Sequence, residues 1–202
     1  METKYIIYGI IVLVVLFVIV YIKACIDEKK GIDSEEKKQI NDIIQKTVPD
    51  AESFTPAYAH WKITNYTGGG RTSINTTTRY WYYAIAFKTS MLYVIPLSFD
   101  GGDISYGEPM CLTKENVGIV DSDSYAWATF YDLEKKEILT LTVSPSNLKG
   151  DKYEPVNIQQ KEAAEAFGVF IKEFMAEVNA YHNVPVKEKN GRPIGKSINI
   201  KK

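Results

Sequence analysis

The sequence predicts an α+β protein: a transmembrane helix, a short amphipathic helix, a run of antiparallel strands and one long carboxy-terminal helix. Three observations predict it. An uncharged stretch of 18 residues runs from Tyr5 to Ile22, seven short runs of strand-like composition lie between Tyr58 and Val143, and an aromatic stripe at helical spacing follows Asn157. The chain beyond the uncharged stretch, about 180 residues, is enough for one domain with a single core.

The first element is read from "YIIYGIIVLVVLFVIVYIKACIDEKK". At about 1.5 Å rise per residue the uncharged stretch makes about 27 Å of helix, close to the hydrocarbon thickness of a bilayer. A secretory signal has a shorter apolar core, a basic start and small residues at its cleavage site, whereas this one begins "METK" and runs into Tyr21, Ile22 and Lys23. The residues ending at Cys25 resemble a lipoprotein cleavage box, but Lys23 breaks the pattern. An uncleaved single-pass anchor at the cell membrane is therefore expected, with residues 1–32 as anchor and linker. Lys4 stands on its short side, and Lys23, Lys29, Lys30, Lys37 and Lys38 on the other. Basic residues resist translocation, which puts the domain on the cytoplasmic side, with an extracytoplasmic placement as the alternative.

"DSEEKKQINDIIQKTVP" supplies the second element. Asp33 and Glu36 stand in capping-box spacing, Ile40, Ile43, Ile44 and Val48 share one face, and Pro49 stops the helix. Strands are expected at about Tyr58 to Thr64, Arg79 to Phe87, Met91 to Ser98, Ile104 to Met110, Val117 to Asp121, Tyr125 to Tyr131 and Ile138 to Val143. The last two form a hairpin around "DLEKKE". In "RYWYYAIAF", Trp81, Tyr83, Ile85 and Phe87 face one way, as core, and Tyr80, Tyr82, Ala84 and Ala86 the other, either as the seat for the isoleucines of the first amphipathic helix, the favoured reading, or as a partner surface. A helix from about Asn157 to Tyr181 follows, with Ala163, Phe167, Phe170, Phe174, Val178 and Tyr181 as its apolar stripe.

Charge is unevenly distributed. Residues 33–185, the folded domain, hold 14 Lys and Arg against 21 Asp and Glu, a net of −7, and the tail 186–202 carries six basic residues and one acidic. With few apolar residues and Gly191, Pro193 and Gly195, the tail reads as disordered. An acidic domain without clustered Arg argues against nucleic acid as a partner. Cys25 and Cys111 are too far apart in kind and place to frame a domain with disulfides. Lys outnumbers Arg 21 to 3, a bias compatible with a bacterium.

Seven strands followed by one amphipathic helix resemble, in element order, the pleckstrin-homology superfold, most of all its bacterial membrane-anchored members. The resemblance covers Tyr58 to Tyr181. It implies a seven-stranded antiparallel half-open barrel capped by the carboxy-terminal helix. It also implies a variable ligand loop between the first two strands, here "TNYTGGGRTSINTTTR". The candidate ligand residues are then Lys62, Gly68, Gly69, Gly70, Arg71 and Arg79. Phosphoinositide is not expected, because Arg79 is followed by "YWYY" and not by a second basic residue. The glycines lack the spacing of a phosphate loop and do not lead from a strand into a helix.

Catalytic constellations are absent from the sequence. Two histidines, His60 and His182, are too few for most hydrolytic or zinc sites, and Cys111 has no His near it in sequence. No catalytic residues, cofactor or metal are expected, and the protein is not expected to be an enzyme. The expected function is a membrane-tethered interaction or scaffold module with a protein partner. Two alternatives remain: a lipid or small-molecule binding domain with a cavity lined by the aromatic strands, or an extracytoplasmic part of a secretion or conjugation apparatus.

Overall fold

The computed structural model describes residues 12–22, 34–68, 74–100, 103–122, 127–148, 154–183, 187–189 and 192–194. Helix α1 occupies residues 12–22, and its side chains are exposed. No helix among the described residues is long and apolar enough to cross a membrane. That overturns the transmembrane helix expected from Tyr5 to Ile22, and with it the single-pass anchor and the placement at the cell membrane; residues 5–11 of that span lie outside the described residues.

Helix α2 (Glu35–Thr47) begins one residue later than expected: Ser34 is its cap, and the Ser34 hydroxyl accepts from the Lys37 N–H at 3.2 Å. Asp33 lies outside the described residues. Strands β1 (Thr55–Gly68), β2 (Ile74–Lys88), β3 (Met91–Asp100), β4 (Asp103–Tyr106), β5 (Met110–Thr113), β6 (Ile119–Asp121), β7 (Trp127–Tyr131) and β8 (Glu137–Thr142) follow. They form one eight-stranded sheet in the order β4-β3-β2-β1-β8-β7-β6, with β5 also on β3, and each pairing is antiparallel. Strands β9 (Ser146–Asn147) and β10 (Ile158–Gln159) make a small second pair, and helix α3 (Lys161–Tyr181) follows. Within the expected disordered tail, β11 (Lys187–Lys189) and β12 (Arg192–Ile194) pair as a short hairpin, and the rest of the tail lies outside the described residues.

Eight strands replace the expected seven because the run expected from Ile104 to Met110 is broken in two. The Gly107 N–H still donates to the Pro96 carbonyl at 2.9 Å, one step beyond the β3–β4 register, and Pro109, two residues on, has no N–H to give a ladder. β4 then covers Leu97 to Asp100 of β3, and β5 covers Met91 to Val94. Among the described residues the sheet does not close into a ring. It is nearly divided as well, since β1 and β8 are joined by the single pair His60 and Thr142. The β7–β8 hairpin forms as expected around "DLEKKE", where the Asp132 carboxylate accepts from the Glu134 and Lys136 N–H groups at 2.9 Å each.

Two apolar cores occupy the two faces of the sheet. On one, Ile40, Ile43 and Ile44 of α2 pack with Tyr58, Ala84 and Ala86, the seat expected from strand alternation. On the other, Phe167, Phe170, Phe174 and Val178 of α3 pack with Ala57, Ala59, Ile85 and Phe87 from one half of the sheet and with Phe130, Leu139 and Leu141 from the other. Helix α3 thus spans the weak joint. Tyr181, expected on this stripe, is 52% exposed, with the Lys114 ammonium 5.6 Å from its ring.

Candidate functional site

β1 and β2 are longer than expected. Most of "TNYTGGGRTSINTTTR", read as loop, is strand, because Thr and Ile favour extended backbone and the Thr64 and Thr78 hydroxyls bond across the pair at 3.2 Å. The two strands stay in register from Thr55 opposite Phe87 to Gly68 opposite Ile74. Their neighbours leave earlier, β8 at His60 and β3 at Tyr82. Among the described residues, 61–68 and 74–81 therefore form a two-stranded arm that projects from the sheet.

Cross-strand partners share a face, so the register assigns each side chain of the arm. Trp61 lies opposite Trp81 and Ile63 opposite Arg79, on the α3 side of the sheet. His60 lies opposite Tyr82 and Lys62 opposite Tyr80, on the α2 side. Of the candidate ligand residues, Lys62 and Arg79 are both exposed but on opposite faces, so they do not converge on one ligand. Gly68 ends β1, while Gly69, Gly70 and Arg71 lie outside the described residues.

The arm differs from the rest of the domain in charge. Residues 61–81 contain Lys62, Arg71 and Arg79 and no Asp or Glu, whereas the remainder of 33–185 carries 11 basic residues against 21 acidic. Its α3-side face is also apolar, with Ile63 at 40% and Trp81 at 36% exposure. Sequence reading placed Trp81 among core residues; the signal that corrects it, the length of the β1–β2 pairing, depends on register and not on composition.

At the base of the arm the aromatic side chains are held tightly. Tyr58, Tyr82 and Tyr80 stack in a row with centroids 6.5 and 6.4 Å apart, and the Tyr58 hydroxyl donates to the Glu154 carboxylate at 2.8 Å. Burial, and then the Glu154 charge, push the Tyr58 pKa far up, so this phenol is a fixed neutral donor. His60 is buried enough to push its pKa below the ordinary 6.5, with the Lys62 charge adding to the effect. Its Nδ1 and the Trp61 Nε1 are buried without a hydrogen-bond partner among the described residues.

A depressed histidine pKa means that the unfolded chain binds the proton more readily than the folded one. The stability His60 contributes is complete above pH 6.5 and is lost as pH falls below it. Urea unfolding between pH 7.5 and 5 should show this decline, and His60→Phe should flatten it; an unchanged slope in the variant refutes the assignment.

A cavity of about 610 Å³ opens elsewhere, between α2, the start of β1 and the first turn of α3, with Lys37, Ile40, Tyr58, Lys161 and Glu162 in its walls. Tyr58 is its one aromatic wall, so it is not a cavity lined by the aromatic strands. No group of three or more His, Cys, Asp or Glu side chains able to hold a metal ion occurs among the described residues. No protein-family model, curated protein or solved structure matches this chain.

Proposed function

We propose that the chain is an interaction module that engages a protein partner through the β1–β2 arm. The observation that carries this reading is the arm itself: a paired ribbon extending past both neighbouring strands, free of carboxylates, with Ile63, Trp81 and Arg79 on one face. Aromatic and Arg side chains are the ones most often responsible for binding energy at protein interfaces. Neither Ile63 nor Trp81 belongs to either core, so their exposure has no use in packing this domain.

Photo-crosslinking in the native cell tests the proposal. A photoreactive residue at position 63 or 81 should give discrete protein adducts, and one at Leu133, 59% exposed on the β7–β8 turn, should not. Adducts absent from the arm, or equal at all three positions, would remove the arm as the contact element.

A further inference from the structure

We infer that the arm's partner is a second copy of this chain, which offers the solvent face of α3. The inference rests on the reading of the arm as a contact element. Helix α3 buries one face, and its opposite face is a narrow exposed stripe of Glu162, Glu165, Val169, Glu173 and Ala176. These positions follow one another at intervals of three and four, so they line up along the helix. Val169 is 55% exposed at the centre, with Glu165 one turn before it and Glu173 one turn after. Lys172 borders the stripe. An apolar centre between two carboxylates is the complement of a ribbon face made of Ile63, Trp81 and Arg79.

Spacing supports the match. Ile63 and Arg79 are direct cross-strand partners, which puts their Cβ atoms about 5 Å apart. Val169 is separated from each glutamate by four residues, about 6 Å along the helix. Ile63 seated on Val169 therefore brings Arg79 to a glutamate one turn away, where guanidinium and carboxylate can pair through two hydrogen bonds. In length, the arm from Trp61 to Gly68 spans about 23 Å and the stripe from Glu162 to Glu173 about 16 Å, so the ribbon covers the stripe.

Within one chain the contact is not made. The stripe points away from the sheet, because the opposite face of α3 holds Phe167, Phe170 and Phe174 against it. Charge favours the same pairing between copies: three basic residues and no carboxylate over 61–81, against a net of −10 over the rest of 33–185.

Disulfide trapping between full-length chains decides the matter. With Cys25 and Cys111 replaced by Ser, a chain carrying Ile63→Cys is mixed with one carrying Val169→Cys or, as a control, Leu133→Cys. The 63–169 mixed disulfide should exceed the 63–133 product at least tenfold, the ratio that about 1.4 kcal/mol of preference gives. Arg79→Glu on the arm chain should lower the yield about tenfold, and Glu165→Arg and Glu173→Arg together on the helix chain should restore it. Both arm and stripe are exposed, so these changes leave folding intact. Equal yields for the two pairs, or a yield that ignores charge reversal, overturn the inference. If the photo-crosslinks at 63 and 81 are nonetheless present, the arm keeps its role with a different protein; if they are absent too, both readings fall.

Discussion

Phe174→Ala should lower the unfolding free energy by about 3–5 kcal/mol, a large share of the roughly 5–15 kcal/mol that holds a domain of this size together. Phe174 is fully buried, 5.3 Å from the Phe170 ring and 6.2 Å from Phe130. Phe170 in turn lies 5.2 Å from Phe87. The row Phe87, Phe170, Phe174, Phe130 thus runs from β2 through α3 to β7, crossing the place where one residue pair joins the two halves of the sheet. Side-chain packing does there what a strand ladder does elsewhere. Removing Phe174 empties the middle of that row, and the neighbouring rings cannot close the gap without pulling one sheet half toward the other. Urea unfolding followed by tryptophan fluorescence measures the loss, with Leu148→Ala, at a 40% exposed position, expected to change stability by no more than about 0.5 kcal/mol. A Phe174→Ala loss below about 1 kcal/mol would mean that α3 unfolds apart from the sheet.

The parts of the fold legible in the sequence are those governed by one period within one segment. Ile40, Ile43 and Ile44, and Phe167, Phe170 and Phe174, stand at helical spacing, and both sets are buried where that spacing puts them. Alternation within "YWYYAIAF" separated the α2 face from the α3 face, and the alanines at 84 and 86 let α2 approach the sheet. What depends on distant partners was not legible. The break at Gly107 and Pro109 shows its effect only because β3 is long enough to pair with both fragments. The span expected from Tyr5 to Ile22 rested on the length and apolar character of one stretch, and no helix among the described residues is long and apolar enough to cross a membrane.

The candidate site follows the same division. Lys62 and Arg79 look alike in sequence, two basic residues flanking a variable loop, but a strand's own alternation says nothing about its offset against its neighbour. One residue of offset moves a side chain to the other face. The observed register sets Lys62 opposite Tyr80 and Arg79 opposite Ile63, and that separates them. The glutamate stripe of α3, by contrast, can be read from helical spacing once the buried stripe is known, since it is the remaining face of the same helix.

Gln160→Leu should lower stability by roughly 3–5 kcal/mol while preserving nearly the same side-chain volume, because it leaves three backbone groups without partners at about 1–3 kcal/mol each. Gln160 precedes α3 and is 6% exposed. Its side-chain oxygen accepts from the Tyr58 N–H at 2.9 Å, and its side-chain nitrogen donates to the Tyr58 carbonyl at 2.8 Å and to the Ser144 carbonyl at 2.9 Å. One side-chain amide therefore serves β1 as a neighbouring strand would, just before the single pair with β8, and ties β1 to the segment that leaves β8. Nothing in the sequence near Gln160 indicates this, since its partner Tyr58 is 102 residues away. Gln159, whose side-chain amide donates to the exposed Ser146 hydroxyl at 2.9 Å and has no other partner among the described residues, is the control, and Gln159→Leu should lose less than about 1 kcal/mol. Amide hydrogen exchange gives a second readout: in Gln160→Leu the Tyr58 N–H should exchange faster relative to Ile85 in the core of β2. If the two variants lose the same stability, or the Tyr58 amide stays as protected as before, the side-chain bridge does not hold β1 in place.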